Sequence, residues 1–564
     1  MPLHRPRRFP LNGSLLLSFT LTAAVIAFLW LPPLWLYGTA LWDVLRLQPA
    51  RWSETLPLRP VQQRLFINTL TLAFLTAGLA VTFGLPTALW LARGHRFWRL
   101  PGLFLCALPL ALPPTLGATA WLEITRTPPA RSLASLAADR PAPLAPIAIA
   151  AFVLALCFFP IVVFAVYAAL HAIPAQVEEA ARLYDSEWGV WRRVTWPLLA
   201  PAVYGAAGIV MALAMWEMGA PDLLDARTYS VQIYRDLNAP DDLDPQGKAV
   251  KAALAGVPML ALGIFALWPA ARALHFYEKR VFNAGAEHDP ASEEVTLAGR
   301  AMTPLALLVL AASPLAPLLI FFSQLKPISV LRDVVESNSR EIMNTAGLAT
   351  VAALGITGLG FVLVALWRAW PSFFSHARRL ALWLTVAPLL IAPMMLAVAL
   401  IHFWNRPQFA LIYGGLPETG NTLVDWFLDN TARYGMMLIG YMARFLPLAV
   451  LLLHEAARRV DDDLIASARN LGATPTGAAR TVLAPLLAPS LLGVGVLVWA
   501  LCAGELSTSV LVNAPGGQTL PVPIFNLMHI GSQAEVAALS LILAAMSGAV
   551  LLVAALALWL WRRQ

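Results

Sequence analysis

Long, unbroken apolar runs recur along this chain, and no other feature restricts its fold so strongly. A helix needs about 20 consecutive apolar residues to cross the hydrocarbon core of a bilayer. Runs of that order lie near 14–37, 66–92, 100–122, 144–171, 198–221 and 250–270. A second set lies near 303–324, 343–367, 380–403, 434–454, 486–512 and 535–561. They are continuous rather than alternating over about ten residues, which excludes a porin-like barrel. The 564 residues are 59% hydrophobic and only 13% charged, outside the range of soluble domains. The expectation is an all-α integral membrane protein, multi-pass, with about twelve spans.

Arginines gather in short connections on one side: Arg5, Arg7 and Arg8, then Arg93, Arg96 and Arg99, then Arg368, Arg378 and Arg379, and finally Arg562 and Arg563. The positive-inside rule makes that side cytosolic and puts both termini there. The other side carries the acidic stretch 236–244 and a loop at 513–534 that lacks lysine and arginine. The formal charge of +7 then reflects topology, and nucleic-acid binding is a poor reading of it. The first apolar run follows basic residues but is too long for a signal-peptide core and lacks a small-residue cleavage site, so it reads as a retained span. Cys106, Cys157 and Cys502 sit inside apolar runs without paired spacing and read as packing residues.

The segment Pro-Leu-Leu-Ala-Pro occurs twice, at 197–201 and 485–489. Aligning the copies superposes Arg192 on Arg480 and Glu217 on Glu505. The match extends upstream: Asn68-Thr69 falls on Asn344-Thr345, Gly84 on Gly360, Pro109 and Pro113 on Pro388 and Pro393, and Pro160 on Pro447. The chain therefore divides into a first repeat over 1–270, a cytosolic linker over 271–302, charged and expected to be mobile around 284–294, and a second repeat over 303–564. Corresponding loops keep the same sidedness, so the six-span halves are parallel repeats about an axis along the membrane normal.

Between the fourth and fifth spans of the second half, Asp461-Asp-Asp-Leu-Ile-Ala-Ser-Ala-Arg-Asn-Leu-Gly472 reads as a short helix. Its aspartates suit the positive end of the helix dipole, and Gly472 can end it in the left-handed conformation. Thr474 is then an N-cap with Pro475 in the first helical position. A plain reversal takes about two to eight residues; this loop is far longer and builds an object of its own. The first half carries Glu179-Ala180-Ala181 at the matching place, followed by Asp185, Arg192 and Pro197.

These loops resemble those of the membrane-spanning subunits of binding-protein-dependent ABC importers, in the fused form with two permease halves in one chain. That family's signature is Glu-Ala-Ala, three residues, Gly, about nine residues, an aliphatic, one residue and Pro. The second half fits its spacing with Ala466 in the Glu position, then Ala468, Gly472, Arg480 and Pro485. The first keeps Glu179, Ala180 and Ala181 but is one residue short, with Asp185 near the expected glycine and Asp185 or Ser186 left to cap the next helix. The resemblance, which covers essentially the whole chain, implies that each loop is a coupling helix docking on a cytosolic ATPase. It implies two copies of that ATPase, which would hold the ATP and Mg, a periplasmic substrate-binding protein, and a bacterial inner-membrane location. The chain has no Gly-x-x-x-x-Gly-Lys-Ser/Thr loop, so it is expected to be a transport subunit and not an enzyme, without cofactor or metal site of its own.

Glu217 and Glu505 lie at the far ends of the fifth spans. Intramembrane acids usually face a cavity or a partner, so they either line the translocation pathway or form structural locks with backbone amides or a base such as Arg444. The segments 228–234 and 519–525 resemble each other and look like the periplasmic portion of the ferric-iron and thiamine branch. They either touch a binding protein or pack over the end of the bundle. His402, His454, His529 and the paired methionines show no ligand spacing. Ferric iron leads as substrate and thiamine follows, with polyamine or another small solute open. The competing readings are an ion-coupled secondary transporter with two parallel six-helix halves, and a polytopic membrane enzyme, for which no cluster of His, Asp or Glu is found.

Overall fold

A computed structural model describes residues 13–46, 60–94, 96–125, 144–171, 173, 175–238, 245–280, 301–368, 375–409, 422–530 and 533–561. Every regular element among them is helical. Among the described residues, ten helices are long and apolar enough to cross a membrane, or up to twelve spans if each of two bent helix pairs counts as one. The chain is thus an all-α integral membrane protein.

The core of each half is a trio of its second, fourth and fifth spans: Pro60–Arg93, Leu144–His171 and Trp196–Trp216 in the first, Ser339–Arg368, Thr422–Arg458 and Ala484–Ala503 in the second. The matched glycines explain how closely the second and fourth spans approach. A Cβ on Gly84 would lie 2.6 Å from Val162 Cβ and 2.9 Å from the Phe159 carbonyl, and one on Gly360 would lie 3.3 Å from Leu453. The first spans are exchanged between the halves. Gly13–Arg46 packs on the second half's third span, while the opening span of the second half, Thr303–Gln324, packs on the first half. Ser313 of that span donates to the Leu156 carbonyl at 2.6 Å.

Three sequence expectations are corrected. The third spans are not single helices: Arg99–Leu110 and Pro114–Glu123 meet at 92°, and Ser375–Leu390 and Pro393–Trp404 at 103°. Proline forces its predecessor out of the helical region and removes a donor. Pro113-Pro114 does this in the first half, and Ile391 and Ala392 are extended before Pro393 in the second. The fifth spans stop at Trp216 and Ala503 rather than near 221 and 512, because Glu217 turns extended and Gly504 caps the other helix. The sixth span of the first half runs on as helix to Arg280, past the expected start of the linker. Its added residues contain no glycine or proline to stop it. The rest of the linker, including 284–294, lies outside the described residues.

Both fifth spans are entered through a π-helical turn, Trp191–Thr195 and Ala479–Leu483. Pro197 and Pro485 follow at the same spacing, and each denies a donor to the carbonyl four residues back. A widened turn is one way to accommodate that defect.

Candidate functional site: two helical loops and the far-end seam

Contacts along the helices place both loops at one end of the bundle. Trp367 Nε1 donates to Thr22 Oγ1 at 3.0 Å, and the neighbouring Arg368 donates to the Ala457 and Val460 carbonyls just before the second loop. That loop therefore lies at the Thr22 end of the first helix. Further along the same helix, Tyr37 flanks Gly256 of the sixth span, which then returns with Gly263 against Trp216 and Ala266 against Gly208. The start of the fifth span, and with it the first loop, points back to the Thr22 end.

In the second loop, helix Asp462–Asn470 begins with Asp461 accepting from the Asp463 N–H. It ends in a Schellman arrangement: the Ala473 N–H bonds the Ala468 carbonyl, the Gly472 N–H bonds the Arg469 carbonyl, and Gly472 has φ +92°. Thr474 Oγ1 then accepts from the Gly477 N–H at 3.0 Å to cap Pro475–Ala478. In the first loop, Ala175–Arg182 lacks that glycine and closes with tighter turns from Leu183 and Tyr184 to the Ala180 and Ala181 carbonyls, the Ala181 carbonyl also accepting from the Asp185 N–H. Ser186 caps Glu187–Val190 by accepting from Gly189. Asp185 accepts from the Ser186 N–H and from Arg193 at 3.0 Å.

Of the loop residues singled out in the sequence, Glu179, Ala180, Arg192, Pro197, Ala466, Gly472, Arg480 and Pro485 are exposed, and Ala181, Asp185 and Ala468 are half-buried. The sequence reading overlooked the apolar residues among them. Tyr184 is 91% exposed and Leu471, one residue before Gly472, 90%; Leu183 and Trp188 are also exposed. These are large apolar side chains standing out of otherwise polar loops. The reading also overlooked Glu178, which faces inward beside the outward-facing Glu179.

At the far end, Glu505 is buried, pairs with Arg444, and accepts the Thr508 N–H at 2.8 Å. Glu217 accepts the Gly219 N–H at 3.1 Å. It is within electrostatic reach of Arg444, Glu505 and Cys157. Cys157 and Arg444 each stand three residues before the matched prolines Pro160 and Pro447, so they occupy equivalent places. Arg444, contributed by the second half alone, pairs directly with Glu505, while Glu217 feels its charge without a direct ion pair. A Cβ on Gly219 would lie 3.4 Å from Glu217 Oε1 and 3.1 Å from Leu506, which puts the two acid-bearing turns against each other. The break in the first half's third span packs on the same spot, with Pro113 next to Gly504 and Thr115 next to Gly219.

The two resembling far-end segments are clasped by the matched Asn-Thr pairs. Asn68 donates to the Arg227 carbonyl and Thr69 accepts from the Tyr229 N–H. Asn344 donates to the Gly516 and Gln518 carbonyls, and Thr345 accepts from the Leu520 N–H. Across the seam, Tyr234 and Phe525 meet edge-on at 6.1 Å between ring centroids. These segments pack over the end of the bundle.

Against known proteins, the chain is 27% identical over 409 residues to y4fN of Sinorhizobium fredii, named as an ABC transporter permease protein; the match covers 69% of this chain and 68% of that one. The chain is similar to ABC transporter permeases. A Salmonella paratyphi A protein named for 2-aminoethylphosphonate transport, PhnV, is 39% identical over 89 residues, 16% of this chain and 34% of its own length. A Haloferax volcanii protein named as a molybdenum ABC transporter permease is 32% identical over 172 residues, 30% of this chain and 61% of its own. The chain thus spans about two thirds of the first of these permeases and less of the other two. No family model and no solved structure matches.

Proposed function

We propose that this chain is the fused two-half permease of an ATP-driven importer in the bacterial inner membrane, with both termini and both helical loops in the cytosol. Each loop docks on one of two copies of a separate ABC ATPase, which carries the ATP and Mg. A periplasmic binding protein delivers the solute to the far end. Closure of the ATPases pushes on the loops and rocks the halves, exposing the pathway alternately to either side. The single observation that carries the reading is a matched pair of helix–turn–helix loops at one end, each displaying an exposed apolar side chain, Tyr184 or Leu471.

In this reading Glu217 and Glu505 stand beside the pathway, with Arg444 as the counter-ion of Glu505. The solute is small; ferric iron comes first and thiamine next. 2-Aminoethylphosphonate and molybdenum join them because relatives carry those names. An ion-coupled secondary transporter would have no use for two helical loops with exposed apolar side chains.

The test is reconstitution with candidate ATPases. Gly472→Pro and Glu179→Pro should abolish partner binding and transport-linked ATP hydrolysis. If both variants keep them, the loops are not the coupling elements.

A further inference from the structure

Equivalent residues of the two halves meet at the far end. Thr69 and Thr345 hold the N–H groups of Tyr229 and Leu520, which sets the register of the two far-end segments against each other. Counting five residues on from each gives Tyr234 and Phe525. These are the two rings that meet edge-on, with centroids 6.1 Å apart. When two units are related by a two-fold, a residue touches its own equivalent only on the axis. Tyr234 and Phe525 therefore stand on the pseudo-two-fold axis, and Phe525 is only 4% exposed there. The acid-bearing turns approach the axis in a similar way. Leu506, next to Glu505, lies against Gly219, two residues past Glu217.

Around the pair, one face of helix Pro521–Ile530 is seated on the first half. Positions i, i+3 and i+4 share a helix face, and here they are Phe525, Met528 and His529. The Phe525 and His529 rings lie 4.7 Å apart. Met528 Sδ is 3.2 Å from Thr119 Oγ1. His529 Nε2 is 3.6 Å from Asp222 Oδ2, while Arg235, the residue after Tyr234, donates to Oδ1 of the same carboxylate at 2.8 Å. When His529 moves away, Asp222 keeps Arg235, so opening this seat strands no buried charge. Just beyond, Gln533 donates to Glu123 at 3.0 Å. On the first half's side, Ser230 Oγ donates to the Glu217 carbonyl at 2.9 Å, which fastens the helix carrying Tyr234 to the acid-bearing turn.

We infer that Tyr234 and Phe525 are the outer gate of the pathway: the edge-on pair plugs the axis at the far end, and the chain as described is closed on that side. That a solute travels along the axis rests on the proposed function. That the pair covers the axis does not, and the tests separate the two.

Leu506→Cys is placed in a full chain whose native cysteines have been replaced, expressed without any ATPase, and treated in intact cells with a membrane-impermeant maleimide. Position 506 should be nearly silent. Tyr234→Ala or Phe525→Ala should speed its labelling by about tenfold or more, the rise in open fraction expected when an aromatic pair is lost. The double variant should add little to either single, because each already breaks the pair. Should the alanine variants not fold, Tyr234→Leu and Phe525→Leu carry the test with a smaller rise. Were the far end cytosolic, the same comparison in inverted vesicles would decide it.

In a second chain, Tyr234→Cys and Phe525→Cys are joined by a short reducible bifunctional thiol reagent. With ATPase and binding protein supplied, bridging should abolish uptake of whichever of ferric iron, thiamine, 2-aminoethylphosphonate or molybdate the parent chain moves, and reduction should restore it. Labelling of 506 unmoved by the ring variants, or uptake that persists through the bridged pair, overturns the inference. If the wild-type chain binds no ATPase, the permease reading fails while the labelling at 506 still decides whether the pair covers the axis.

Discussion

Thr345 accepts a hydrogen bond from the backbone N–H of Leu520 at 2.8 Å, and its counterpart in the other half, Thr69, accepts one from Tyr229 at 2.9 Å. Both threonines are fully buried on second spans. Each holds down a far-end segment that the chain repeats. A buried N–H left without an acceptor costs about 1–3 kcal/mol. Thr69→Val and Thr345→Val should each lower the melting temperature of the purified chain, and the serine variants should largely preserve it. Asn344→Ala should cost more than Asn68→Ala, because Asn344 bonds two carbonyls and also accepts from Tyr434.

The Arg444–Glu505 pair, both members from the second half, makes the seam asymmetric. Removing one member of a buried ion pair costs about 3–5 kcal/mol, since the other charge is left uncompensated. Arg444→Met should therefore destabilise strongly and Glu505→Gln should follow it. The double variant should cost less than the two losses added. Glu217→Gln, which removes no direct ion pair, should assemble normally and change transport. Yield of folded chain and uptake in vesicles separate these outcomes.

Gly472→Ala places a side chain at φ +92°, which costs about 1 kcal/mol for an L residue. Nothing lies within 4 Å of the added Cβ, so the penalty is one of backbone conformation alone. Exchange over 462–478 should quicken while global melting hardly changes. Ser186→Ala removes the cap of the first loop's second helix and should act likewise there, at about 1 kcal/mol.

Features that depend on neighbours in sequence were legible before the structure. The apolar runs give the helices, and Gly472, Thr474 and Pro475 give the loop's stop and restart, because caps are local. The third spans were half legible: Pro113 and Pro393 announce a defect, but a bend near 90° is set by what packs on either side. The premature ends of the fifth spans were hidden, since the apolar run continues past Glu217 while the backbone does not. Glu178 accepts a hydrogen bond from Arg93, 85 residues away, and no spacing rule connects them. The Asn-Thr pairs and the repeated far-end segments were both visible, but their contact is tertiary and no periodicity reports it.

Tyr184 and Leu471 sit almost wholly in solvent, so changing them should leave stability alone. Tyr184→Asp and Leu471→Asp should melt with the parent chain yet lose ATPase association, by about tenfold or more if each fills an apolar pocket.

The most direct measurement labels single cysteines at 184 and 471, in a chain whose Cys106, Cys157 and Cys502 have been replaced, with a membrane-impermeant maleimide. Both positions should be silent in intact cells, reactive in inverted vesicles, and shielded again once the ATPase is added back. Labelling of either position from the outer face, or reactivity indifferent to the ATPase, would contradict the account.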